Sequence, residues 1–158
     1  MKIYQYAARA HRETRAGFLV CEKTFDSKED IQLQDPASIA RFLDEYADAP
    51  ELPNEKTWLF CFNGALRLLG FSELTQGIHD TTLFDIKRMF QIALLTGACA
   101  ITIAHNHPGG STEPSQADLQ STKQIQEASN LLGITLLDHV IVSYKGYGSL
   151  REQGYLGF

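Results

Sequence analysis

Residues 98–118 read ACAITIAHNHPGGSTEPSQAD, and this stretch decides the fold. Ala98 to Ala104 is a short, unbroken apolar run rich in isoleucine, the pattern of a strand buried on both faces. It delivers the chain directly to His105, after which a loop rich in proline and glycine follows. Ser115-Gln-Ala-Asp118 then has the form of a helix start, with an inner stripe of Leu119, Ile125, Ala128 and Leu132 and a stop at Gly133. Another buried strand is expected from Ile134 to Val142.

Upstream, Leu83, Ile86, Met89, Phe90, Ala93 and Leu94 form one helical stripe between Thr82 and Thr96, with Asp85, Arg88 and Gln91 off it and Gly97 as a left-handed stop. Thr57 to Phe62 and Ala65 to Thr75 are β-rich runs joined by Asn63-Gly64, a dipeptide suited to the positive φ of a tight hairpin turn. Asp35-Pro36 reads as an N-cap and first helical residue, and Ile39, Phe42, Leu43 and Tyr46 predict a helix over 36–47, ended by Pro50 and Pro53. Ile3 to Ala8 and Gly17 to Glu22 suggest a hairpin, and the tail from Tyr144 a turn with a short helix or strand on the edge. Each helix must cover a sheet face, so this order implies an α/β fold: a three-layer α/β/α sandwich around a mixed sheet. In such sheets sites gather where strands end, which is where the histidines lie.

The chain of 158 residues suits one domain spanning 1–158. Its 44% apolar and 21% charged residues are the balance of a globular protein. The longest apolar runs, such as Trp58 to Phe62, fall far short of the roughly 20 residues that span a bilayer, so no membrane partner is expected. The N-terminus has no signal-peptide core, and the three cysteines, Cys21, Cys61 and Cys99, form no C-x-x-C pair; both point to the cytoplasm. A net charge of -5 without a basic cluster disfavours nucleic acid as a partner.

His105 and His107 stand two apart at a strand end, and a turn brings Asp118 back beside them. Two nitrogens and one oxygen leave a fourth tetrahedral position open, which is the composition of catalytic zinc sites; structural sites use four protein ligands, usually with cysteine. Zinc there lowers the pKa of water toward about 7 and polarises a carbonyl. Glu73 is the candidate base: by alternation it shares a strand face with Leu69 and Phe71, where desolvation would raise its pKa. Ser115 can donate to an oxyanion. Taken alone, Ser115 and Asp118 also read as the N-cap and third residue of a capping box, and the two readings are compatible. His139, flanked by apolar residues, reads as a core histidine satisfied near Asp138, and His11 and His79 as surface positions.

The string from His105 through Pro108 and Ser115 to Asp118 resembles the JAMM motif of JAB/MPN metalloenzymes. With Leu136-Leu137-Asp138-His139 and Ser149-Leu150-Arg151 it is most similar to the RadC branch. The resemblance runs from about Glu55 to Leu156 and implies a cytidine-deaminase-like sandwich. It also implies zinc at His105, His107 and Asp118, assisted by Ser115, with the motif's upstream glutamate falling on Glu73, four residues before Gly77. The first 50 residues do not resemble the helix-hairpin-helix segment that usually precedes this domain in RadC-type proteins.

The leading expectation is a zinc hydrolase of amide or isopeptide bonds with a peptide or protein substrate. The alternative is a DNA-repair-associated protein acting on or near nucleic acid. The letters HNH at 105–107 do not make a nuclease, whose three residues are dispersed over a longer unit. A ligand-less interaction module is disfavoured because all three ligand positions are intact. A deaminase lacks its H-x-E and P-C-x-x-C pairing here.

Overall fold

A computed structural model of the chain describes residues 1–27, 33–74 and 84–157. The strands are β1 (Lys2–Ala10), β2 (Gly17–Asp26), β3 (Thr57–Phe62), β4 (Leu68–Leu74), β5 (Ala100–Asn106), β6 (Thr135–Ser143) and β7 (Gly146–Ser149); the helices are α1 (Pro36–Ala47), α2 (Ile86–Thr96) and α3 (Gln116–Leu132). The strands form one mixed sheet in the order β2-β1-β4-β3-β5-β6-β7, with β5 and β6 parallel and β3 antiparallel to both of its neighbours. Among the described residues, no helix is long and apolar enough to cross a membrane.

Local chemistry sets the helix ends. The Asp35 side chain accepts from the Ser38 N–H at 2.9 Å ahead of Pro36, and α2 and α3 stop at Gly97 and Gly133, both left-handed. The described part of α2 starts at Ile86, not Thr82, because Asp85 is itself the cap, accepting from the Arg88 N–H at 3.0 Å. Thr82 and Leu83 lie outside the described residues.

The helices cover both faces of the sheet, as the element order requires. Ile39, Phe42 and Leu43 of α1 pack on Trp58, Phe60, Phe62 and Phe71. On the other face, Met89, Phe90, Ile92 and Ala93 of α2 and Ile125 of α3 meet Leu59, Cys61, Ile101, Ile103 and Ile141. Leu132, expected on the inner stripe of α3, is 42% exposed; the buried positions of that helix include Asp118, Ser121, Thr122 and Ser129.

Two register shifts break the alternation on which face assignments rest. Cys61 pairs with Gly70 but Phe62 with Leu68, so Leu69 is an extra residue in β4. Leu69 therefore packs with the α2 and α3 side, while Phe71 packs with α1, and the face expected for Leu69, Phe71 and Glu73 together is split. In β6, Ile101 pairs with Leu136 and Thr102 with Asp138, which leaves Leu137 as the extra residue. One inserted residue turns every later side chain over. That shift brings His139 onto the α2 and α3 side.

The β3–β4 turn also differs from expectation. Its left-handed residue is Leu66, φ 56°, and not Asn63 or Gly64. Asn63 works through its side chain, whose Oδ1 accepts from the N–H groups of Ala65 and Arg67 at 2.9 and 3.0 Å. This longer loop delays β4 to Leu68.

Candidate metal centre

His105 is near the end of β5, on the face covered by α2 and α3, since it pairs with Thr57 and Ile141. His107 stays attached to the sheet through its own N–H, which donates to the Val142 carbonyl at 2.9 Å. The turn that follows needs a glycine: Gly110 has φ 90° and the Tyr144 ring lies where its Cβ would be. Asp118 arrives on the first turn of α3. Its Oδ2 accepts from the Ser115 N–H at 2.7 Å, and the Asp118 N–H donates to Ser115 Oγ at 3.1 Å, so the expected capping box is present.

Three ligand atoms converge here. His105 Nε2 and His107 Nε2 are 2.8 Å apart, and each is 3.3 Å from an oxygen of Asp118, a carboxylate only 1% exposed. The Asp118 Oδ1 atom is buried with no hydrogen-bond partner. Tetrahedral zinc with bonds near 2.0–2.1 Å holds its ligand atoms about 3.3 Å apart, so the cluster has the right size for a metal ion.

Hydrogen bonds around the cluster decide which ring nitrogens face inward. His107 Nδ1 lies 3.0 Å from the Ser111 carbonyl, which can only accept, so Nδ1 carries the proton and Nε2 is a lone pair. For His105 the assignment runs through a buried relay. Thr122 Oγ1 donates to the Asp118 carbonyl at 2.6 Å, which uses its one proton, so it accepts from His139 Nδ1 at 2.6 Å. Burial, and then the neighbouring His105, push the pKa of His139 well below its ordinary value, so the ring is neutral and its Nε2 accepts from His105 Nδ1 at 2.7 Å. His105 Nε2 is then a lone pair too. Two lone pairs and a carboxylate facing one another call for a cation.

The charges agree with this. Burial pushes the Asp118 carboxyl up, but when a proton takes the cation's place on an Nε2 atom, His105 and His107 outweigh burial and hold the carboxyl well below the usual carboxylate range. By the same pairing Asp118 raises the pKa of His107, whose Nε2 is a lone pair in the neutral ring and donates to the carboxylate only once protonated. Phe84 packs edge-on against both His105 and His139, with ring centroids 5.5 and 5.2 Å away, and shields the relay from water.

The fold thus brings together His105, His107, Asp118 and Ser115, and does not bring Glu73 to them. Glu73 pairs with Trp58, which pairs with Ala104, so it lies on the α1 side of the sheet. Its side chain is 33% exposed and its Oε1 lies 2.7 Å from Lys56 Nζ, an ion pair in place of the expected apolar enclosure. Gly77, which marked its place in the motif, and His79 lie outside the described residues.

Another glutamate stands on the metal side. Thr57 pairs with His105, and the Asn106 N–H continues that ladder to the Lys56 carbonyl at 3.3 Å, so Glu55 follows opposite His107 and on the face of Thr57. Glu55 is half-buried, and its charge is close enough to raise the pKa of His107. Sequence reasoning also missed the ring contacts of His139. Asp138 does accept, at 2.7 Å, but from the His139 backbone N–H; the ring itself serves His105.

A family model described as the RadC-like JAB domain matches residues 33–155. The chain belongs to this family. It is 37% identical to a UPF0758 protein of Thermotoga maritima over 105 residues, 66% of this chain and 47% of that one. It is 36% identical to a UPF0758 protein of Methanospirillum hungatei over 129 residues, 82% of this chain and 57% of that one. The chain spans about half the length of the curated relatives it matches. A RadC-like JAB domain with the sandwich described above and a His-His-Asp group able to hold a metal is therefore what the residues build.

Proposed function

We propose that this RadC-like JAB domain is a zinc-dependent hydrolase that cleaves an amide or isopeptide bond of a peptide or protein. The observation that carries the proposal is the buried Asp118 carboxylate, its Oδ1 without a hydrogen-bond partner, set against two imidazole Nε2 atoms whose rings are already committed through Nδ1. His105, His107 and Asp118 would hold the metal, which when bound would supply a Lewis acid for the scissile carbonyl and ease proton loss from water.

The chain's own residues complete the chemistry. Glu55, on the metal side and without a hydrogen bond or ion pair among the described residues, takes the proton from water and returns it to the leaving amine. Glu73, held by Lys56 on the other face, is the control and not the base. Ser115 Oγ accepts from the Asp118 N–H, which leaves its own proton free to donate to the oxyanion. Free Cys21, Cys61 and Cys99 suit a reducing cytoplasm. A net charge of -5 weighs against phosphodiester substrates and a DNA-repair role.

The test is metal analysis followed by a diverse peptide library. One zinc per chain in the wild type, lost in His107→Ala and Asp118→Asn, is expected, together with new peptide termini that need the zinc. Metal-free wild type sinks the zinc assignment. A zinc-loaded protein that leaves the library intact sinks the amide assignment.

A further inference from the structure

Asn106 lies between the two histidines, and alternation sends its side chain off the strand away from them. It is buried, and both halves of its amide are used on one short stretch of chain. Oδ1 accepts from the Lys56 N–H at 2.6 Å, and Nδ2 donates to the Asn54 carbonyl at 3.1 Å. The residue between those two anchor points is Glu55. Residues 54–56 precede β3; past Thr57 the ladder adds the one bond from the Asn106 N–H to the Lys56 carbonyl and, among the described residues, no backbone bond to Glu55 itself, so the strand does little to hold Glu55.

We propose that Asn106 is a positioning residue whose side-chain amide clamps the backbone on both sides of Glu55 and so sets where the Glu55 carboxylate stands relative to His105, His107 and Asp118. The proposal rests on the reading of Glu55 as the base. It gives the middle residue of the His-Asn-His string a task. Only a primary amide offers an acceptor and a donor side by side in one plane. Asp at this position keeps the acceptor and loses the donor, Leu keeps the shape and loses both, and Gln is one methylene too long. The same strand segment thereby carries the metal ligands on one side and the anchor of the base on the other, so the two move as one body.

The probe is Co2+, loaded in place of zinc into the wild type, Glu55→Gln, Asn106→Leu and the double variant. Cobalt stoichiometry is checked first, and the visible bands are then titrated against pH. A carboxylate beside the metal disfavours loss of a proton there, so Glu55→Gln is expected to lower the midpoint by about one pH unit. Asn106→Leu is expected to shift it in the same direction, and the double variant to add nothing further. A second readout is amide exchange at Lys56. It is protected in the metal-free wild type and at least about tenfold faster in Asn106→Leu, since one good hydrogen bond is worth about that factor. An unmoved midpoint in Glu55→Gln overturns the base itself. A shift in Glu55→Gln with none in a cobalt-loaded Asn106→Leu overturns the clamp alone. If Asn106→Leu fails to fold, Asn106→Asp decides in the same way, and an unprotected Lys56 amide in the wild type overturns the clamp without any variant.

Discussion

Against α1 the sheet presents Trp58, Phe60, Phe62 and Phe71, whose contacts with Phe42 place the rings of Phe42, Phe60 and Phe71 5.1–5.8 Å apart. Against α2 and α3, where β5 and β6 end, the same sheet buries His105, Asp118, Thr122 and His139. The first face is held by apolar area and aromatic contact, which ask for shape alone. The second accepts the cost of burying polar groups: His105, Thr122 and His139 each have a named partner, whereas Asp118 Oδ1, between the imidazoles, has none and is open to a ligand. The two glutamates repeat the contrast. Glu73, on the aromatic side, is paired with Lys56, whereas Glu55, near enough to His107 to raise its pKa, has no ion pair among the described residues.

The contrast can be broken by exchanging the carboxylates one at a time. Glu55→Gln is expected to keep one zinc per chain and lower kcat on a cleaved peptide by about 10²- to 10⁴-fold, and Glu73→Gln to change it less than about threefold. The reverse order would return the base to the aromatic side. Next in size, Phe42→Ala should lower stability by about 3–5 kcal/mol in denaturant unfolding while the folded fraction still binds zinc with wild-type affinity. A loss of zinc affinity in that variant would mean the two faces are not independent.

Smaller effects sharpen the polar side. Thr122→Val and His139→Gln each interrupt the relay that presents His105 Nε2, and zinc affinity measured by chelator competition should fall about 10- to 100-fold. If the relay acts as one unit, the double variant falls little further. The smallest effect is one of pH. His107 has a folded pKa above its ordinary 6.5, so in the metal-free protein its stabilising effect is complete below that value and is lost as pH rises through the raised one. The melting temperature of the metal-free protein should therefore drop by about 2–4 °C across that window, and His107→Gln should flatten the curve.

Much of this was readable along the chain. The helix caps at Asp35 and Ser115, the stops at Gly97 and Gly133, the buried strand into His105 and the three candidate ligands depend on neighbours within a few residues, and local chemistry repeats from protein to protein. Alternation does place Glu73 with Phe71, but that face is the α1 side, away from the histidines, and Lys56 pairs with the carboxylate there; the extra residue of β4 moves Leu69, and that of β6 moves His139. The β4 bulge has a mark in Gly70 directly after it, whereas the β6 bulge at Leu137 has none in the letters around it.

By itself, then, the sequence determined the α/β sandwich, the caps and stops of most helix ends and the His-His-Asp set, because periodicity, caps and short spacings are properties of adjacent residues. Only the tertiary structure decided which glutamate stands on the metal side, that a histidine 34 residues away orients His105, and that Asn106 anchors both sides of Glu55. Those depend on which residues of separate strands lie opposite one another, and a single inserted residue changes that for all that follow.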